Sequence, residues 1–291
     1  DEWKDVPNFI EDVMRFLDNV LTDFIDRAPD SFKDAKYSAM RERSVGLGVM
    51  GLHSFLQKKL IPLESVMSKT WNNKIFKHIQ NEVDKASIKL SEERGPCPDA
   101  QEYGFKERFS NKTAIAPTAS ISIICGGASP GVEPIAANSY THKTLSGSYN
   151  VRNRYLKDIL KKYEKDDDET WSSITTNQGS VSHLDFLTKN EKDVFKTAFE
   201  LDQRWIVELG ADRTPYISQA QSINIFLPAD VHKKELHQIH FQAWKKGLKS
   251  LYYCRSKSIQ RAENINNGLS TNATKNESNE DKDYEECLSC Q

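Results

Sequence analysis

Asn111-Lys-Thr-Ala-Ile-Ala-Pro117-Thr-Ala-Ser-Ile-Ser-Ile-Ile124 changes character in the middle. Its first half is a short run of small and β-branched residues and reads as a buried strand. Its second half opens on Pro117 with hydroxyl residues at 118, 120 and 122 and reads as the start of a helix. A strand feeding a helix through a proline turn is the unit of an α/β fold. Small hydroxyl residues with free backbone N–H groups at a helix N-terminus also make a cradle for an anion. An ordinary Ser or Thr cap explains the same residues equally well, and the segment is no Walker loop. Downstream, Cys125-Gly-Gly-Ala-Ser-Pro-Gly131 allows a tight loop, and Glu133-Pro134 marks its exit.

The flanking chain repeats the alternation. Phe9, Val13, Phe16, Leu17, Val20, Leu21, Phe24 and Ile25 trace one apolar helix face between Pro7-Asn8 and Ala28-Pro29. Arg41 to Leu52 mixes β-formers with Gly46, Gly48 and Gly51, and predicts a strand meeting a helix through close backbone packing. A long helix is expected from Ser68 to Arg94, with Trp71, Ile75, Ile79, Val83 and Ala86 inward, ended by Gly95-Pro96-Cys97-Pro98. A helix over 191–210 carries Val194, Phe195, Ala198, Leu201, Trp205 and Leu209. Ser222 to Leu227 reads as a strand. A last helix, 234–247, turns Leu236, Ile239, His240, Ala243 and Trp244 to one side, and Leu248 to Tyr253 follows as a short strand. Residues 150–200 are mixed and charged, without a clear period.

After Cys254 the composition shifts to Asn, Ser, Glu, Lys and Thr, and 255–291 is expected to be a disordered tail. The 291 residues carry 40 basic and 42 acidic side chains. A net charge of −2 gives no electrostatic footprint for non-specific nucleic-acid binding. Mean hydropathy is −0.66, and no apolar run approaches the roughly 20 residues that cross a bilayer. The start, Asp1-Glu-Trp-Lys4, has neither the basic residues nor the apolar stretch of a signal peptide, and without an initiator Met the chain reads as processed, split or truncated. Five scattered Cys argue for a reducing compartment, and a cytoplasmic location is expected.

Three further features invite chemistry. Cys287 and Cys290 form a C-x-x-C pair at the end of an acidic tail. Zinc needs four ligands and no second pair is near, so the pair reads either as a mobile dithiol that exchanges with a disulfide or as an inert tail. Tyr252-Tyr253 reads either as packing or as a redox pair. Adjacent strand residues point to opposite faces, so two stacked phenols require a kink. His237 and His240 lack a carboxylate or Cys to complete a metal set. His240 is expected in the core, Cys97 as structural, and Cys125 as a small buried residue.

Arg43-Ser-Val-Gly-Leu-Gly-Val49, Pro117 to Ser122, Gly131-Val-Glu-Pro134, Ser222-Ile-Asn-Ile-Phe226 and Ala243-Trp-Lys-Lys-Gly-Leu-Lys-Ser-Leu-Tyr-Tyr253 occur in this order, followed by the Cys-tipped tail. Together they resemble the C-terminal part of the large (alpha) subunit of class I ribonucleoside-diphosphate reductase. The resemblance implies the C-terminal portion of a ten-stranded α/β barrel, then a small α/β subdomain and a disordered tail. Residues 1–150 would belong to the barrel, 151–254 to the subdomain ending in the tyrosine pair, and 255–291 to the tail.

It further implies that Pro117, Thr118, Ala119, Ser120, Ile121 and Ser122 hold the substrate diphosphate. Tyr252 and Tyr253 would relay a radical from a small (beta) subunit. Cys287 and Cys290 would reduce an active-site disulfide and be re-reduced by thioredoxin or glutaredoxin. No cofactor or metal is expected on this chain, the diiron-tyrosyl radical being expected in the small subunit. The family's radical-carrying Cys, its redox pair and its effector site lie N-terminal to everything here. The resemblance therefore implies a separate N-terminal chain as partner. The alternative is a non-catalytic fragment or an accessory protein that binds nucleotide phosphates.

Overall fold

A computed structural model describes residues 8–144 and 147–256. In chain order its elements are α1 (Phe9–Arg27), α2 (Lys33–Glu42), α3 (Leu52–Lys58), α4 (Val66–Arg94), α5 (Pro98–Glu102), α6 (Ala119–Ile124), β1 (Ser139–Thr144), β2 (Gly147–Arg152), α7 (Arg154–Lys162), α8 (Asp168–Thr176), α9 (Lys189–Val194), α10 (Gln203–Arg213), β3 (Ile225–Leu227), α11 (Lys233–Lys245) and β4 (Cys254–Ser256).

The architecture rests on four extended segments lying side by side in chain order. Leu47 pairs parallel with Thr113, and Ile115 with Gln221. β3 and β4 are parallel, with Ile225 opposite Cys254. Each step crosses over through helices, α3 to α5 in the first and α11 in the last, as parallel neighbours require. Close backbone approach sets the first step. A Cβ on Gly48 would collide with the Ala114 carbonyl oxygen, and one on Gly46 would lie 3.1 Å from the Ala114 methyl. Gly46 and Gly48 therefore serve the close packing expected of them, while Gly51 has only ordinary contact around it.

One core lies between this sheet and its helices. Leu56, Leu63, Leu201, Val207, Ile223, Ile225, Leu227 and Ile239 form it. A second core joins α1 and α4 through Met14, Val83, Ala86 and Leu90. Beneath it Asp18, fully buried, accepts from Arg43, Arg94 and Arg108 at 2.6–3.0 Å. Burial raises the Asp18 pKa, and the three guanidiniums outweigh that and hold it below the usual carboxylate value. The 156–195 stretch closes its own core around Trp171, Leu156, Leu160, Ile174 and Phe195. While α1 turns Met14 inward, it leaves Phe9, Phe16, Val20 and Phe24 exposed along its other side.

Five expectations need correction. The single helix over 191–210 is two, because Asp202 caps a new helix by accepting from Arg204 N, and Ala198 N–H leaves for the Ile135 carbonyl at 2.8 Å. Phe195, Ala198 and Leu201 stay buried in the break. The strand expected over 248–253 is displaced: Gly247 (φ +75°) ends α11, and pairing begins only at Tyr252. β4 also takes in Arg255 and Ser256, which composition assigned to the tail; the rest of the tail lies outside the described residues. His240 and Trp244 are exposed, leaving Ile239 and Ala243 as the buried face of α11. Cys125 is exposed too, while Cys97 is fully buried. The β1–β2 hairpin had no counterpart in the sequence reading. No helix among the described residues is long and apolar enough to cross a membrane.

Candidate functional site

Tyr252 and Tyr253 sit where the ladder is irregular. Tyr252 N–H donates to the Ile223 carbonyl at 2.8 Å, and Ile225 N–H donates to the Tyr253 carbonyl at 2.9 Å. In an unbroken parallel ladder one residue supplies both groups. Here two residues together face Asn224, which is a β-bulge. The bulge is the kink that stacked phenols need. It brings the two rings to 4.1 Å between centroids at 53°, with the hydroxyls 3.4 Å apart. Each tyrosine is 42% exposed, so the pair is half open to its surroundings.

A bulge leaves one N–H without a ladder partner. Tyr253 N–H is caught instead by Asn224 Oδ1 at 3.0 Å. That bond fixes which branch of the Asn224 amide carries the oxygen. The NH2 branch and the Asn224 backbone N–H face the carboxyl of Glu133, and both act to lower its pKa. Burial acts more strongly in the other direction and leaves the Glu133 carboxyl raised, with the Arg255 charge opposing it. Glu133 is 7% exposed, and its Oε1 is buried without a hydrogen-bond partner. Arg255 also lies over the Tyr253 ring, 5.8 Å from its centroid, within cation–π range.

The 117–122 segment lies at the other end of the same turn. Thr118 takes a left-handed conformation (φ +53°, ψ 27°) at the head of the six-residue α6. Its hydroxyl does not cap the helix. Thr118 Oγ1 accepts from Gly131 N at 2.7 Å instead. The first helical bond is Ser122 N–H to Thr118 O at 2.9 Å, so the N–H groups of Ala119, Ser120 and Ile121 precede the helix's own ladder. Ser122 is buried and spends its hydroxyl on the Ala119 carbonyl at 2.8 Å. Pro117 and Ala119 are half-buried, while Ser120 and Ile121 are exposed. Pro130 O accepts from Glu133 N at 2.9 Å. One tight turn, 130–133, thus touches the 118 segment at Gly131 and, through Glu133, faces Asn224, which holds the tyrosine bulge.

A family model described as "Ribonucleotide reductase, barrel domain" matches residues 2–107 and 99–254. The chain belongs to this ribonucleotide reductase family. It is 48% identical over 277 residues to the "Ribonucleoside-diphosphate reductase large subunit" of Invertebrate iridescent virus 6, covering 94% of this chain and 29% of that protein. It is 43% identical over 280 residues to the protein of the same name from Invertebrate iridescent virus 3, covering 95% of this chain and 44% of that one. The structure is similar to that of an "Actinobacillus ureae class Id ribonucleotide reductase alpha subunit", with a TM-score of 0.82 and 39% identity over 89% of this chain and 48% of that one. The chain therefore spans less than half the length of these reductase relatives.

The structure brings Tyr252 and Tyr253 into contact and links them, through Asn224 and Glu133, to the turn that holds Thr118. Cys287 and Cys290 lie outside the described residues. His237 stacks on Phe241, and His240 Nδ1 lies 2.8 Å from the Leu236 carbonyl. The described residues hold no group of three or more His, Cys, Asp or Glu that could bind a metal. Sequence reasoning missed Asn224 and Arg255 as neighbours of the tyrosines. No spacing marks either, since both act through a bulge that pairing alone creates.

Proposed function

We propose that this chain supplies the phosphate-binding loop, the radical relay and the dithiol shuttle of a ribonucleoside-diphosphate reductase, with the reacting Cys carried on a separate N-terminal part of the large subunit. The observation that carries this reading is the bulge at 252–253, which sets two phenols in contact where a regular strand would part them. A packing role needs no such device. The short coverage of the relatives and the exposed stripe Phe9, Phe16, Val20 and Phe24 support a further polypeptide covering α1.

In this reading the diphosphate of a ribonucleotide lies against 117–122. Backbone N–H groups of the first turn meet the negative charge, and Thr118 is held by Gly131 rather than by the ligand. A diiron-tyrosyl radical held by the small subunit would supply the oxidising equivalent; on this chain Tyr253 would give up an electron and its phenolic proton, then recover them from Tyr252, which would in turn take them from a thiol of the other part. That thiyl removes a ribose hydrogen, the 2′ hydroxyl takes up a proton and leaves as water, two thiols supply two electrons and two protons and become a disulfide, and the first thiol returns its hydrogen to the sugar and is left as the thiyl again. Cys287 and Cys290 exchange with that disulfide, and thioredoxin or glutaredoxin reduces them.

The test is Tyr252→Phe and Tyr253→Phe in the reconstituted complex. Phenylalanine keeps the ring and removes the hydroxyl that loses the proton. Turnover is expected to vanish in either variant while assembly measured by sedimentation is unchanged. Normal turnover in either would end the relay reading.

A further inference from the structure

Tyr252 and Tyr253 touch only because the chain bulges, and the bulge holds only if its stranded N–H has a partner. Asn224 supplies that partner. It is 2% exposed and sits on the sheet directly opposite the pair. An asparagine amide binds in two orientations that differ in which branch carries the oxygen. Tyr253 N–H is a donor, so it accepts only the orientation with Oδ1 toward it. The opposite branch then needs an acceptor, and the group facing it is the buried carboxyl of Glu133. An asparagine held from one side alone would turn between its two orientations and release the bulge for part of the time.

We propose that Glu133 and Asn224 are positioning residues for the tyrosine pair: Glu133 orients the Asn224 amide, and Asn224 pins the 252–253 bulge that stacks the two phenols. This rests on the relay reading for its consequence in turnover, and for its structural part on the Tyr253–Asn224 bond and on the burial of Asn224 and Glu133, with the unpartnered Glu133 Oε1. Glu133 follows Gly131 by two residues, and Gly131 N–H is tied to Thr118 Oγ1. The same turn therefore fixes the loop assigned to the phosphates and the pair assigned to the radical. Arg255 lies over the Tyr253 ring, and its charge also acts on the Glu133 carboxyl.

The test uses the full chain with 3-fluorotyrosine at position 253. Its fluorine resonance reads the ring current of Tyr252, so it reports stacking without any need for activity. Asn224→Asp keeps an acceptor for Tyr253 N–H but sets a second carboxylate against Glu133. The resonance is expected to move toward the value of an unstacked fluorotyrosine. Glu133→Gln added to Asn224→Asp restores a donor–acceptor pair with the roles exchanged, and is expected to return the resonance to that of the parent chain. Asn224→Ala, which removes both bonds and adds no charge, serves if Asn224→Asp does not fold. A parent-like resonance in Asn224→Asp or Asn224→Ala overturns the proposal, as does a double variant no closer to the parent than Asn224→Asp.

In the assembled reductase the same variants separate this proposal from the relay. A misplacement of about 1 Å at a reacting centre costs on the order of a hundred-fold. Turnover in Asn224→Asp is expected to fall by at least about ten-fold, with substrate KM unchanged, and to recover in the double variant. A shifted resonance with undiminished turnover would leave the positioning intact and refute the relay.

Discussion

Replacing Thr118 by Val asks whether the loop proposed to bind the phosphates is held by its own chain. Valine keeps the β-branched shape and so keeps whatever a left-handed conformation costs at φ +53°. It removes only the hydroxyl that accepts from Gly131 N–H at 2.7 Å. Gly131 is buried, so its N–H is left without a partner and without water. An orphaned buried donor costs about 1–3 kcal/mol. Taking about 2 kcal/mol, and roughly 2–4 °C per kcal/mol for a chain of this size, the melting temperature should fall by roughly 4–8 °C. Thr118→Ser keeps the acceptor and should melt within about 1–2 °C of the parent. Thr118→Gly relieves about 1 kcal/mol of left-handed strain while losing the same bond, and should fall between the two. The assay is thermal unfolding of the three variants and the parent by circular dichroism. A Val variant as stable as the Ser variant would show that Gly131 N–H is satisfied elsewhere and that the loop has no anchor at Thr118.

Three further outcomes follow from the same structure. His53 is fully buried, accepts from Ile135 N–H through Nδ1 at 3.1 Å, and has its pKa pushed down to about 4 by burial; because the folded value lies below the unfolded 6.5, stability is full above pH 6.5 and drains as pH falls toward 4, by about 2 kcal/mol at pH 5. Urea titrations at pH 7 and 5 should show that loss in the parent and a smaller one in His53→Gln, and equal losses would discount His53. Asp18→Asn leaves three guanidiniums converging on a neutral amide, and should destabilise by about 3–5 kcal/mol in chemical denaturation; a loss under about 1 kcal/mol would mean that water reaches the cluster. Changing Cys287 and Cys290 to Ser should stop thioredoxin-driven turnover of the assembled reductase and spare dithiothreitol-driven turnover, and equal loss with both reductants would remove the shuttle.

How far the sequence could be read depended on whether the signal was local. Helix α1 and helix α4 announce themselves by periodicity, although in α1 the apolar stripe is wider than the face that packs, and Phe9, Phe16, Val20 and Phe24 stay exposed beside the buried Met14 and Asp18. The sheet segments at 45–47, 113–115 and 225–227 were legible as short β-rich runs between turn signals. The break between α9 and α10 was not, because Phe195, Ala198 and Leu201 keep a helical spacing while Ala198 N–H serves Ile135 in another part of the chain. His240 misled for a related reason. Its spacing matches the buried stripe, but the core ends at Ile239 and Ala243, and a helix of 13 residues shows its partner only a narrow face. The site divides in the same way. Thr118 and the tyrosines stand out as residue types in a run, whereas Asn224 is one polar residue in an apolar strand, and its role exists only once Tyr253 lies beside it.

The requirement that the sequence placed on Tyr252-Tyr253 was a kink, and the structure meets it without a proline, a glycine or a turn. The device is a count of residues. Two tyrosines occupy the space of one against Asn224, so the side chains that alternation would send to opposite faces meet instead. Such an arrangement costs a ladder bond, and a bulge of this kind reverts to regular pairing unless the displaced N–H is held. Holding it with a side chain, not a backbone carbonyl, makes the stacking depend on the state of one amide and of the buried acid that faces it. The pair can then be aimed without any change in β3 itself, whose residues are occupied in the core through Ile225 and Leu227. The wall of the barrel and the geometry of the phenols are thereby set by different atoms of the same strand. Substitutions in the core should move stability and leave the stacking, whereas those at Asn224 and Glu133 should move the stacking first.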